Sequence, residues 1–229
     1  MSILIGSTGF VGGHLQHSLD FDQLVHRPNL AEIAGRDTDL LVCAGLPAEK
    51  WRANRNPEDD WVNMTSLAEV LAGVHARRAI LISTIDVYQP PEGVSESDPP
   101  SLRGTEQYGV SRAWFEYFFG AHFRDSSIVR LPGLFASDLR KNLIYDLLND
   151  RVDQLAKVHP QSTFQYFDLS LLTRILGICE QHGLSLLNVV SEPIAAHQIA
   201  EVFGVTLDNL DAHEVHYNVT SRHSALFNG

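Results

Sequence analysis

Three glycines at three-residue spacing, Gly6, Gly9 and Gly12, lie in the run Gly6-Ser7-Thr8-Gly9-Phe10-Val11-Gly12. Before them is a short apolar stretch, Ser2 to Ile5; after them Phe10, Val11, His14, Leu15 and Leu19 recur at helical spacing. This context predicts a strand, a tight turn and a helix, which few folds accommodate. Gly6 permits the turn, Gly9 lets the backbone approach a diphosphate, and Gly12 lets helix and strand pack closely. Free N–H groups at the helix start then face an anion with the positive end of the helix dipole.

The alternation continues downstream. Short strands are predicted at Gln23 to His26 and Asp39 to Ala44, separated by a brief helix over Asn29 to Ala34. Pro47 to Val74 reads as two helical stretches broken near Asn56-Pro57, with Glu58, Asp59 and Asp60 in the first turn of the second. A buried strand follows at Ala79 to Ser83, then a Pro/Gly/Ser/Glu-rich loop from Gln89 to Thr105, long enough to overhang a site. Helices at Gln107 to Phe123 and Leu139 to Asn149 flank a strand at Ser127 to Leu131. Strands at Phe164 to Phe167 and Leu186 to Val190, with helices at Leu169 to Gln181 and Ile194 to Phe203, complete the pattern; the last 25 residues resist assignment. Repeated β-then-α order predicts an α/β chain of Rossmann type, a doubly wound parallel sheet with ligands at the carboxyl ends of its strands. The expected organisation is a single NAD(P)-binding domain over 1–229, with about 136–229 forming a small C-terminal substrate-binding appendage.

Composition narrows the partners. A formal charge of -11, from 17 basic and 28 acidic residues, speaks against wrapping nucleic acid or an anionic membrane. No apolar run approaches the roughly 18 to 20 residues that span a bilayer, so a cytoplasmic location is expected. Cys43 and Cys179, each in an apolar stretch, read as core rather than as a disulfide or metal pair. His14 and His17 lie three apart without an evident acidic partner to complete a metal site, and no metal is expected.

At the end of the second strand, where an acidic residue would meet ribose hydroxyls, the chain has His26-Arg27. The guanidinium fork of Arg27 suits a 2′-phosphate, favouring NADP(H) with NAD(H) as the alternative; a solvated loop cation is the plain reading. Ile82-Ser83-Thr84-Ile85-Asp86-Val87-Tyr88 ends a buried strand in hydroxyls and a carboxylate, and Tyr108-Gly109-Val110-Ser111-Arg112 opens a helix about 20 residues later. Tyr108 and Arg112, four apart, share a helix face, and a fixed cation lowers a neighbouring phenol's pKa. Such a phenol exchanges protons with a sugar hydroxyl or carbonyl.

Together these segments resemble the extended short-chain dehydrogenase/reductase family, the NAD(P)-dependent epimerase/dehydratase group acting largely on nucleotide sugars. The resemblance covers most of the chain: the Gly6–Gly12 turn, Ala44-Gly45 after a strand, Asn63 in the next helix, Ser83-Thr84 with Val87-Tyr88, Tyr108 with a cation four later, and Arg130-Leu131-Pro132. It implies that Thr84 is the catalytic hydroxyl and Tyr108 the acid/base, with Arg112 where the family has Lys. It further implies cofactor contacts from Gly6, Ser7, Thr8, Gly9, Phe10, Val11, Gly12, Arg27, Ala44, Gly45, Ser83, Tyr108, Arg112, Leu131 and Pro132. Arg keeps charge and donors but never deprotonates, so a relay through position 112 is not expected.

The resemblance also implies a larger C-terminal substrate region than this chain has, and a homodimer joined through the Tyr-bearing helix as one option. Ile85 stands where the family's dehydratases often carry an acidic residue, which disfavours dehydration; Asp86 is either a substrate-side acid/base or a loop-satisfying carboxylate. Tyr88, Tyr166 and Asp168 read as structural. The function implied is NADP(H)-dependent oxidation, reduction or epimerisation of a nucleotide-linked sugar by hydride transfer. The alternative is a dinucleotide-binding protein with little or no turnover, a redox sensor or assembly partner.

Overall fold

A computed structural model describes residues 1–227; positions 228 and 229, the end of the expected appendage, lie outside the described residues. Six parallel strands form the central sheet: β1 (Ser2–Ile5), β2 (Gln23–Val25), β3 (Asp37–Cys43), β4 (His75–Thr84), β5 (Ser126–Leu131) and β6 (Leu186–Asn188). Their spatial order is β6-β5-β4-β3-β1-β2, every pair parallel. The chain leaves β1 toward one edge to make β2 and then crosses back to make β3 on β1's other side. That reversal opens a crevice above the carboxyl ends of β1 and β3, the usual ligand position in such sheets.

Side chains alternate along each strand and define two apolar layers. Ile3, Ile5, Leu41, Cys43, Ala79 and Leu81 pack with Met64, Leu67, Leu71, Phe115 and Phe119 from helices α3 (Pro57–Leu71) and α4 (Gln107–His122). Leu4, Val42, Ile80, Ile82 and Val129 face Leu15 of α1 (Phe10–Ser18) and Leu172, Ile175, Leu176 and Cys179 of the helix Leu172–Gln181. Both cysteines are thus core residues. A separate small core of Leu143, Leu147, Leu155, Ala196, Ile199, Ala200 and Leu207 lies in the C-terminal third.

Element boundaries shifted where local chemistry overrode periodicity. The segment after β2 is a 3-10 turn over Arg27–Ile33, because Pro28 lacks an N–H and the Asn29 side chain accepts from the His26 N–H. The helix expected from Leu139 begins only at Leu143, capped by the side chain of Asn142. The first helical stretch after β3 is the short α2 (Lys50–Arg55). The overhanging loop holds a short strand, Glu92–Val94, paired with Asn218–Val219 of the previously unassigned C-terminal segment. Among the described residues, no helix is long and apolar enough to cross a membrane.

Candidate active site

The glycine turn is shaped by backbone against backbone. Gly6 has a φ of +87°, and a Cβ there would sit 2.4 Å from the Ala44 carbonyl oxygen; a Cβ on Gly12 would sit 2.0 Å from that of Gly6. The resemblance's Ala44-Gly45 therefore forms the other wall of the turn. Gly45 in turn approaches Ile5, where an added Cβ would come within 2.8 Å of Cγ2. The N–H groups of Gly6 and Ser7 donate to Val25 O at 2.8 and 3.3 Å, tying the turn to β2, and Ser7 is buried. Gly9, by contrast, is exposed, and an added Cβ would meet only the Gly6 oxygen, at 3.2 Å. It begins α1, whose start has no side-chain cap and no acidic residue in its first turn. The exposed backbone at Gly9 and the uncapped N–H groups at Phe10 and Val11 fit a diphosphate.

Arg27 is exposed just past β2, and its Nη2 donates to Asn63 Oδ1 of α3 at 2.6 Å. His14, expected to lack an acidic partner, meets Asp138, Nε2 to Oδ1 2.7 Å. Tertiary folding brings that carboxylate from 124 residues away. No third ligand joins them: among the described residues, no group of three His, Cys, Asp or Glu is arranged for a metal.

At the end of β4 the hydroxyls divide. Ser83 is buried and donates to Glu116 Oε1 at 2.6 Å; Glu116 forms a buried ion pair with Arg130, Nη2 to Oε2 2.6 Å, and Arg130 Nη1 donates to the Tyr88 hydroxyl at 2.5 Å. Ser83, Arg130 and Tyr88 thus form a hydrogen-bonded floor beneath the crevice, and Leu131 is buried with Pro132 half-buried at the adjacent strand end. Thr84 remains half-buried, accepting from the Asp86 N–H at 3.1 Å and donating to Asp86 Oδ2 at 3.2 Å.

Tyr108 starts α4, with its N–H donating to Asn54 Oδ1 at 2.9 Å. Arg112 sits over the Tyr108 ring, Cζ 3.9 Å from the centroid, and its Nη1 also donates to the Tyr108 main-chain oxygen at 3.2 Å. It is 1% exposed, its Nη1 pairs with Asp60 Oδ2 at 2.5 Å, and its Nη2 donates to Pro47 O at 2.6 Å. Asp60, also buried, receives the Ser111 hydroxyl at 2.7 Å as well. The expected depression of the phenol by this cation is overruled: burial pushes Tyr108 up to about 12, with Asp86 and Asp60 acting in the same direction against Arg112 and Lys50.

Lys50, at the start of α2, was not singled out from sequence. Its Nζ meets Asp86 Oδ1 at 2.9 Å, Glu106 Oε2 at 2.5 Å and the Tyr217 hydroxyl at 3.1 Å. Tyr217 donates to Asp86 Oδ1 at 2.6 Å. Asp86 is the hub of a cluster drawn from four parts of the chain. Sequence spacing carries no trace of contacts between residues 50, 86 and 217. The only local hint was that Lys50 is one of three lysines in the chain.

No protein-family model and no curated protein matches this sequence. Solved structures do match its fold. An NAD-dependent NDP-hexosamine 5,6-dehydratase, TunA, involved in tunicamycin biosynthesis, is 17% identical, with 96% of this chain and 89% of that chain covered at a TM-score of 0.75. The dTDP-4-dehydrorhamnose reductase of Bacillus anthracis in complex with NADP is 15% identical, with 99% and 91% covered and a TM-score of 0.74. RMD from Pseudomonas aeruginosa, complexed with NADPH, is 19% identical, with 99% and 91% covered and a TM-score of 0.74. This chain has the Rossmann-like fold that these structures share.

Proposed function

We propose that the chain is an NADP(H)-dependent oxidoreductase or epimerase of a nucleotide-linked sugar. The observation that carries this reading is the glycine cradle at the β1/β3 crevice, closed by Ala44-Gly45 and exposed at Gly9, on the side of the sheet where Thr84 ends β4, Asp86 follows it, and the start of α4, with Tyr108, packs against Asp86. The fold neighbours described with NAD, NADP or NADPH support a nicotinamide dinucleotide, and the choice of NADP(H) rests on Arg27. The Phe10 and Val11 N–H groups would hold the diphosphate, and Arg27 the adenosine 2′-phosphate, which gives preference over NAD(H). When bound, the nicotinamide supplies or accepts a hydride. Thr84 would hydrogen-bond the reacting sugar oxygen and Tyr108 would move its proton.

In the reducing direction the phenol hydrogen passes to the carbonyl oxygen as the carbon gains hydride, and the phenolate is reprotonated from water. A phenol with its pKa raised suits this donor step better than it suits a resting base. Calorimetry with NADPH and NADH, followed by turnover on a panel of nucleotide sugars, tests the proposal. Wild type should bind NADPH the tighter, and Tyr108→Phe should lower turnover by about 10²- to 10⁴-fold. Unchanged turnover in Tyr108→Phe rejects the mechanism.

The seal around Arg112 favours a second reading, a dinucleotide-binding protein with little or no turnover, since the Lys of the family it resembles is replaced here by a buried guanidinium paired with Asp60. NADPH binding without hydride transfer to any sugar would select it. We also propose a homodimer through α3 and α4, whose outer faces carry exposed Trp61, Val62 and Tyr117; light scattering reads the mass directly.

A further inference from the structure

We propose that residues 136–142 form a strap across the dinucleotide cradle, latched to one wall by His14 with Asp138 and to the other by Lys141 with the Ala48 carbonyl, and that its opening sets how fast the dinucleotide enters and leaves. The proposal rests on the functional reading above.

The strap is tied down at both ends. It continues from a short strand, Gly133–Phe135, that pairs in parallel with Tyr166–Asp168. It finishes at Asn142, whose side chain accepts from the Tyr145 N–H, capping the next helix, and donates to Leu134 O at 2.7 Å. That last bond closes the segment into a loop whose ends meet. Inside it the Leu139 N–H donates to Ala136 O, a single turn.

Its side chains reach outward to opposite walls of the crevice. Asp138 meets His14, which stands one turn beyond the uncapped N–H groups at the start of α1 and sets its ring edge-on to Phe10 at 5.4 Å. Lys141 Nζ donates at 2.6 Å to the carbonyl of Ala48, three residues past Gly45 on the facing wall. Desolvation lowers the Lys141 pKa and the Glu49 carboxylate acts against it, as befits an ammonium laid against the chain at 48–49. Asp138 and Lys141 are three residues apart, at most about 11 Å of chain, so the strap crosses from wall to wall in one short step. Phe10, Val11, Ala44, Leu134 and Ala136 pack against the same apolar layer beneath it.

The latch is suited to opening. His14 and Asp138 are 26% and 51% exposed, and a pair so open to solvent holds a loop by about fivefold at most. Where the strap meets the helix, Asn142 has a φ of +107° with an extended ψ, a conformation unfavourable for any residue with a side chain. Rotation there relieves strain as the strap lifts. A plain connection between strand and helix requires neither the strained asparagine nor contacts on two walls.

Asp138→Ala, Lys141→Ala and a His14→Cys/Asp138→Cys pair test this in the full chain, with NADPH as the probe and its fluorescence followed by stopped flow. NADPH release should quicken about three- to fivefold in each alanine variant. Bridging the two new cysteines with a short bismaleimide should slow NADPH entry at least about tenfold, and bridging after loading should slow release likewise. Cys43 and Cys179 are buried and stay out of that reaction. In NADPH-free protein, amide hydrogen exchange over 136–142 should quicken in Asp138→Ala while that of β1 stays unchanged. NADPH binding with rates unaltered in the alanine variants and in the bridged protein overturns the strap and leaves the functional reading standing. Absence of NADPH binding in wild type overturns the functional reading and the strap together. Should the cysteine pair not fold, the alanine variants and the exchange measurement decide.

Discussion

The two ends of the crevice are built from different materials. At the glycine turn the shape comes from main chain against main chain: Gly6 against Ala44, Gly12 against Gly6, and the turn amides on Val25. At the reaction end it comes from charged side chains supplied by distant segments, with Arg112 sealed on Asp60 and Lys50 shared among Asp86, Glu106 and Tyr217. A cradle of the first kind tolerates almost no added atom yet needs no particular partner. A centre of the second kind tolerates shape changes but fails when a charge is left unmatched.

The largest expected effect sharpens the contrast inside the charged end itself. Arg112→Met leaves Asp60 buried and unpaired, and should cost about 3–5 kcal/mol in urea unfolding. Replacing Lys50, which is 34% exposed against 1% for Arg112, should cost less, because solvent screens a partly exposed pair. Equal losses would show that the two cations are not differently employed.

Next in size is the cradle. Gly12→Ala places a carbon 2.0 Å from the Gly6 oxygen and should destabilise by about 1–3 kcal/mol while weakening NADPH binding. Gly9→Ala, whose added carbon would meet the Gly6 oxygen at 3.2 Å rather than 2.0 Å, should cost less stability than Gly12→Ala while weakening NADPH binding. If both variants lose stability alike, the turn has no more room at Gly9 than at Gly12. Arg27→Ala should reduce NADPH affinity about tenfold or more with little change for NADH, as calorimetry can read.

The smallest effect concerns the C-terminal segment that brings Tyr217 to the site. Burial raises the Glu96 pKa, but hydrogen bonds from the Asn188 N–H, the Ser221 hydroxyl and the Arg222 N–H outweigh it and hold the carboxyl below its ordinary 4.5. Glu96 thus contributes stability that is present above pH 4.5 and lost as pH falls through its folded value. Glu96→Gln should flatten that acid limb of the stability profile. An unaltered limb would place the acid sensitivity elsewhere.

Local sequence determined the fold and the glycine turn of the candidate site. Gly6, Gly9 and Gly12 constrain only their immediate neighbours, and strand alternation such as Ile3/Leu4/Ile5 needs no more than a sheet with two covered faces. The same logic made the core cysteines legible. It misplaced the segment after β2 and the start of the Leu143 helix, where a proline and an asparagine cap decided the boundary.

What only the tertiary structure decided is the electrical state of the crevice around Tyr108 and Asp86. A tyrosine and a cation four apart on a helix read as partners at the hydroxyl, yet Asp60, drawn from α3, pulled the guanidinium onto the ring face and into the core. Lys50 and Tyr217 meet Asp86 across 36 and 131 residues. Backbone conformation is set largely by near neighbours, whereas burial and Coulomb terms depend on whatever the fold brings close, at any separation along the chain.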